Sequence, residues 1–367
     1  MLSPPQSIDT PITRMFGIKY PVLLAGMNVA AGPELAACIS NAGGLGVIGG
    51  MNYTPPMLRM MIRDLKKKLF AHDLPFGVDL MLPKVGDGAR KTNYDYTKGL
   101  LNELIDVIIE EGVKLFVSAV GVPPKEIVNR LHENGIYVMN MVGSPKHVDM
   151  ALEVGVDIIC AQGSEGGGHT GDIGTMVLIP AVVDRCKNKI SPMTKQQVQV
   201  IAAGGIYDGR TMAAALCLGA SAVWIGTRFV ASEEANAPKA HKESVLKTHH
   251  DGTMRTLVFT GRPLRISTNY YAQDWHTRRR KKLELLLKEG SIPCNYDLEN
   301  ISSGNIPEAD QLFVKKILDG MSPIPHLMGQ VAGSIHEIKP AIEILHQMVS
   351  DTIRIIHSPI TFIRSKI

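Results

Sequence analysis

Aromatic residues are scarce, with Phe, Tyr and Trp making up 5% of the 367 residues. So few rings argue against a base-stacking platform for single-stranded nucleic acid. An excess of one charge is also missing: 39 basic residues stand against 35 acidic ones, for a net charge of +4. That balance provides no strong field for DNA or an anionic membrane surface. The five cysteines (Cys38, Cys160, Cys186, Cys217 and Cys294) form no CxxC pair and no metal-ligand spacing. An odd, scattered set predicts free thiols in a reducing compartment rather than a disulfide framework. No run of about eighteen apolar residues is present, so no membrane helix is expected. Met1-Leu2-Ser3-Pro4-Pro5 lacks a secretory hydrophobic region, and a cytoplasmic location is expected. The last three residues, Ser365-Lys366-Ile367, differ by one conservative substitution from the Ser-Lys-Leu peroxisomal address, which makes the peroxisome the second expectation.

What the chain has in quantity is glycine (35), methionine (18) and apolar residues in general (45%). Short apolar runs recur at intervals suited to βα units, each ending in glycine or polar residues. Eight are predicted strands: Pro21–Ala25, Gly44–Ile48, Phe76–Leu80, Leu115–Ala119, Tyr137–Asn140, Ile158–Gln162, Val198–Ala203 and Ala222–Gly226. Helical patterns lie between them, such as Pro33–Ile39, Pro124–Leu131 and Gly209–Leu216, with proline near their starts and glycine just before the next strand. Eight strands with mostly short crossovers predict an α/β fold, a (β/α)8 TIM barrel over residues 1–235. A doubly wound open sheet is the alternative, but Gly44-Leu45-Gly46 lacks the third glycine of a dinucleotide turn. Residues 236–367 read as helices and loops, a C-terminal helical cap and extension near the barrel mouth, with an amphipathic helix over 333–356. The basic run Arg278–Lys282 reads as a solvated helix face, and Met51, Met57, Met60 and Met61 as core residues.

The stretch Gln162-Gly163-Ser164-Glu165-Gly166-Gly167-Gly168-His169-Thr170-Gly171 carries the chemistry. It places an imidazole on a glycine-rich loop after the sixth strand, where backbone can press against a flat ligand. An imidazole titrates near neutrality, so His169 suits a general base or a charged hydrogen-bond donor. Glu165 either orients that ring or caps a turn. Glycine steps also follow the seventh and eighth strands, Ala203-Gly204-Gly205 and Gly226-Thr227. In a barrel these positions form a phosphate site, with glycine N–H groups and the Thr227 hydroxyl as donors. Ser164 is not in a GxSxG elbow, and the His241 and His249-His250 clusters show no metal-ligand spacing, so no metal is expected.

Taken in order, these residues resemble nitronate monooxygenases, formerly 2-nitropropane dioxygenases. The matching pieces are Pro21–Met27, Asn41–Gly46, Pro75–Val78, Glu165–Gly171, Ala203–Ile206, and Gly219-Ala220 with Gly226–Phe229. They cover about the first 235 residues, and Gly329–Gly333 extends the likeness into the cap. The resemblance implies FMN, its phosphate on Gly204, Gly205, Gly226 and Thr227. Its ring would lie against Ala25-Gly26-Met27, with Asp79, Gln162, Gly167, Gly168 and Ala203 around it and His169 over its reactive face. It further implies a small-molecule nitronate or nitroalkane substrate and O2 as partners, in a monomer or homodimer. The products would be a carbonyl compound and nitrite. The same family contains NAD(P)H-dependent FMN reductases of quinones and enoyl thioesters, which is the alternative function. Many relatives carry Asn at the position of Asp79, and some carry Lys at that of Asn140. An ionised Asp79 accepts hydrogen bonds but cannot donate them, and it would oppose negative charge on a reduced flavin.

Overall fold

The structure is a computed structural model, and it describes residues 4–304, 311 and 324–358. The Ser365-Lys366-Ile367 tripeptide lies outside the described residues. Eight parallel strands form one sheet: β1 (Val22–Leu24), β2 (Gly46–Gly49), β3 (Phe76–Met81), β4 (Leu115–Ala119), β5 (Tyr137–Val142), β6 (Ile158–Gln162), β8 (Gln199–Ala203) and β9 (Ala222–Ile225). A short strand, β7 (Gly168–His169), interrupts the count after β6. β1 pairs with β9, and a parallel bridge between Leu23 and Leu45 joins β1 to the segment entering β2. Two backbone hydrogen bonds there, Leu24 N to Leu45 O (2.9 Å) and Leu45 N to Val22 O (3.0 Å), close the ring into a TIM barrel. All eight predicted barrel strands are present.

Side-chain alternation sorts the strands into an inner and an outer face. Leu23, Leu45, Val47, Leu115, Val117, Met139, Ile158, Cys160, Ile201, Ala222 and Trp224 fill the interior. Their outward neighbours, including Val22, Ile48, Val78, Phe116, Val138 and Ile159, pack beneath the surrounding helices. The N-terminal helix Pro11–Phe16 adds Ile12 and Phe16 to the inner cluster, and the Phe16 ring meets Tyr137 edge-on with 5.1 Å between centroids. The N-terminal ends of the strands are therefore plugged, and the opposite rim is where a ligand can enter.

The region after the barrel differs from the expected helices and loops. A hairpin is present, β10 (Thr253–Thr256) and β11 (Leu264–Ser267), and β11 pairs antiparallel with β7. Period-two alternation in such short strands, one of them carrying Arg265, is too weak to read without the partner strand. The tail helix Ala341–His357 is also placed differently from the expected cap. Its Ala341, Ile344, Leu345, Met348 and Val349 join the core formed by the helices around the barrel. It packs on Pro33–Asn41 and Gly209–Cys217, on the flank of the barrel. The basic run is only partly solvated: Arg279 is buried against Asp297 and lies 3.5 Å over the Trp275 ring. Met57 and Met60 are exposed, while Met61 packs against the core.

Gly46 sets how closely the helix Pro33–Asn41 sits on β2. A Cβ there would fall well inside van der Waals contact with the Ala36 carbonyl. Gly46→Ala is expected to cost about 3 kcal/mol through this overlap, read as a lower denaturant midpoint with an unchanged slope. An unaltered midpoint would contradict the close approach.

Candidate active site

The inner-facing positions nearest the open rim are obtained by stepping two residues along from the interior layer. They are Ala25, Gly49, Asp79, Ala119, Met141, Gln162, Ala203 and Gly226. Alanine or glycine occupies five of the eight, so little side-chain volume fills the mouth. A Cβ at Gly226 would meet only Ala25 Cβ at 3.4 Å and Met27 Sδ at 3.5 Å, so a methyl group would fit there in ordinary contact. Gly226 precedes the short helix Thr227–Val230, whose first backbone N–H groups lack intrahelical partners. The Thr227 hydroxyl accepts from the Gly329 N–H at 2.9 Å. Gly204 and Gly205 have φ of +88° and +74°, which a side chain would strain. The Gly204 carbonyl accepts from the Thr175 hydroxyl at 2.9 Å.

Asp79 stands on the inner face of β3, almost fully buried, and its Oδ1 has no hydrogen-bond partner among the described residues. Burial pushes its carboxyl up to about 8. Gly26 is pressed against it, since a Cβ on Gly26 would overlap the Asp79 side chain. Asn140 does not share this site. It alternates with inward Met139 on β5 and so faces outward with Val138, and its amide donates to Met141 O at 3.1 Å. The loss of a cation at that position therefore does not bear on the rim.

His169 is held by three features. β7 pairs His169 with Leu264 of β11, its carbonyl accepts from Gln162 Nε2 at 2.9 Å, and its Nε2 is 3.1 Å from the Thr260 hydroxyl. Gln162 thus spends its amide on the histidine loop, donating also toward Gly167 O at 3.4 Å. Gly167 passes directly under the loop carrying Met328 and Gly329, where a Cβ would come within 2.6 Å of the Met328 carbonyl carbon. Glu165 does not touch the imidazole. Its carboxylate accepts from the backbone N–H and hydroxyl of Thr175, the first residue of the helix Thr175–Cys186, so of the two expected roles it takes the capping one.

Two residues that sequence reasoning missed complete the surroundings, Thr260 and Arg262. Both lie in the β10–β11 connection, and Thr260-Gly261-Arg262-Pro263 is a turn signature that could have flagged them. The Arg262 guanidinium donates to Asn93 Oδ1 at 3.0 Å, and no carboxylate pairs with it among the described residues. Burial lowers the basicity of Arg262, and Arg90 is a second cation close enough to add to that effect. Burial, with the Arg262 charge second, pushes the His169 imidazole down to about 4. This half-buried setting favours the neutral ring over the charged donor of the first expectation. Among the described residues no cluster of potential metal ligands occurs. None of their helices is long and apolar enough to cross a membrane.

The His169 resonance is expected to titrate near pH 4 by NMR, and Arg262→Gln should move it up toward the ordinary 6.5. A wild-type midpoint already at 6.5 would contradict the buried, cation-flanked setting.

Comparison with known proteins agrees with this geometry. The sequence pattern of the family described as nitronate monooxygenase matches residues 9–351. A probable nitronate monooxygenase of Staphylococcus saprophyticus is 32% identical over 293 residues, covering 70% of this chain and 78% of the relative. A (3aS,4S,5R,7aS)-5-hydroxy-7a-methyl-1-oxo-octahydro-1H-indene-4-carboxyl-CoA dehydrogenase of Mycobacterium tuberculosis is 36% identical over 259 residues, 71% of this chain and 66% of its own length. Among solved structures, FabK from Thermotoga maritima superposes with a TM-score of 0.74 at 32% identity, covering 95% of this chain and 98% of that one. The closed barrel, the histidine loop and this match over nearly the whole length lead to one conclusion: the chain is an oxidoreductase that belongs to the nitronate monooxygenase family.

Proposed function

We propose that the protein binds FMN at the rim and oxidises alkyl nitronates with O2 to a carbonyl compound and nitrite. The rim suits a flat, partly polar ring. Ala25, Ala203 and Gly226 place little side-chain volume there, and Asp79 adds a buried carboxyl whose Oδ1 has no protein partner. Gly204, Gly205, Gly226 and Thr227 would hold the phosphate, with Ala25, Gly26 and Met27 beneath the ring and Gly167 and Gly168 beside it. Bound FMN supplies the electron acceptor, and in its reduced form the electron donor to O2.

The observation that carries the substrate assignment is the β10–β11 connection, which fixes His169 through Thr260 at 3.1 Å and brings the Arg262 cation close enough to disfavour a charged ring. A general base works best when its pKa lies near the working pH. An imidazole pushed down to about 4 is a poor base for removing a carbon-bound proton from a neutral nitroalkane. A nitronate is already deprotonated and anionic, so it needs no strong base and is attracted by Arg262. Thr260 fixes the ring at Nε2, which leaves Nδ1 to orient the substrate, and the hairpin covers the site.

A second reading is an NAD(P)H-dependent FMN reductase of quinones or enoyl thioesters. It is supported by the names of two relatives, a CoA-thioester dehydrogenase and FabK. Anaerobic mixing separates the two. Rapid bleaching of the flavin by a nitronate, with nitrite formed on admitting O2, supports the oxygenase. Rapid bleaching by NADH and none by nitronate overturns it in favour of the reductase.

His169→Ala is expected to lower turnover of the nitronate and of the matching neutral nitroalkane by similar factors, because the ring orients both. A loss on the neutral nitroalkane roughly a hundredfold larger than on the nitronate would show that His169 does act as the base. Gly226→Leu should fold with near-normal stability, since its Cβ meets only ordinary contacts, yet lose FMN because the side chain enters the rim. Full retention of the yellow colour would remove Gly226 from the cofactor site.

A further inference from the structure

Asp79 raises a difficulty that the flavin site must resolve. An ionised carboxylate there would be buried on the inner face of β3 with Oδ1 unpartnered, and no cation pairs with it among the described residues. Burying a charge without a partner costs several kcal/mol, and such a group relieves the cost by taking up a proton. The elements packed around it offer no compensation. β1 contributes Gly26, the opposing residue on β2 is Gly49, and the opposing residue on β4 is Val117. From β6 the titratable neighbour is the Cys160 thiol, which burial and Asp79 itself push up, so it stays neutral too. The upward push on the Asp79 carboxyl, from burial alone, agrees with this geometry.

We propose that Asp79 meets the flavin as a neutral carboxylic acid, donating a hydrogen bond from its carboxyl O–H to an acceptor atom of the ring. This rests on the FMN reading above. A protonated carboxyl offers one donor and one acceptor in the space of an asparagine side chain. The departure from Asn in many relatives therefore preserves the hydrogen bonding at neutral pH, as in other apolar sites that keep an acid protonated so that it can donate. Unlike an amide, the acid can lose its proton, so the donor is present at low pH and lost at high pH. Negative charge on the reduced ring is stabilised by the donor and opposed by the ionised form, which ties the reduction potential of the flavin to the protonation of Asp79.

The test compares the wild type with Asp79→Asn in three measurements. In the infrared difference spectrum between the two proteins at pH 7, recorded both with and without FMN, the wild type should show the C=O stretch of a protonated carboxyl that the variant lacks. Carboxylate bands in its place would overturn the proposal. In potentiometric titration of bound FMN from pH 5 to 10, the wild-type potential should fall more steeply with pH, meeting the variant at the acid end and dropping below it at the alkaline end. Parallel lines would overturn it. Without flavin, stability should follow the sign of a raised folded-state pKa: the contribution is full below the unfolded value and lost as pH rises toward 8. Asp79→Asn should flatten that decline, and an identical decline in both proteins would contradict it. If neither protein takes up FMN, the donation falls with the flavin reading, while the infrared band still reports the state of the acid. None of these readouts depends on nitronate turnover, so a protein that fails as an oxygenase can still uphold or overturn the proposal.

Discussion

The site depends on one steric constraint, the small size of the inward-facing residues at the open end of the barrel. Deeper in, Leu, Val, Ile, Met and Trp side chains fill the interior and the Pro11–Phe16 helix closes the floor. One step further along the strands, Ala25, Ala119, Ala203 and Gly226 withdraw that volume, while Gly49 admits the Met27 backbone. A filled rim would leave a stable barrel with no site. The polar groups Asp79 and Gln162 can then be read by a ligand or by the loops above, and in the structure they divide: Gln162 serves the histidine loop and Asp79 is left buried with Oδ1 unpartnered.

The second requirement is a lid that fixes an imidazole while keeping it uncharged. β7 contains only Gly168 and His169, and it is ordered because the β10–β11 hairpin, about ninety residues later in the chain, supplies its strand partner. The same hairpin carries Thr260 and Arg262, one holding the ring and the other adding positive charge beside it. The hairpin thus contributes to both the placement and the electrostatics of His169, alongside burial. Gly167 and Gly329 bring a further loop close over the site, and Thr227 ties that loop to the proposed phosphate turn. This interlocking explains why the family likeness runs across nearly the whole length of the chain and does not stop with the barrel.

The barrel was legible because its signals are local. Each strand is an apolar run ended by glycine, and positive φ at positions such as Gly155 and Gly219 closes the preceding helices as the pattern implied. The histidine loop and the glycine turns were legible for the same reason. What could not be read was anything decided by a distant partner. Leu264–Ser267 becomes a strand only against β7 and β10, and the helix Ala341–His357 has an amphipathic pattern that does not say which surface it covers. The state of His169 belongs to this class too, since an imidazole near neutrality in sequence becomes a weak base once buried beside Arg262. Asn140 shows the converse error: it lies on the right strand, one residue out of phase with the interior.

The central claim is that the open rim is a flavin nucleotide site, and the most direct test is the visible spectrum of the purified protein with chromatographic identification of whatever acid releases from it. The account predicts a yellow protein that yields FMN in a 1:1 ratio, or a colourless one that becomes yellow and takes up one equivalent on addition of FMN. A colourless protein that refuses FMN, or one that releases a different cofactor, would contradict it.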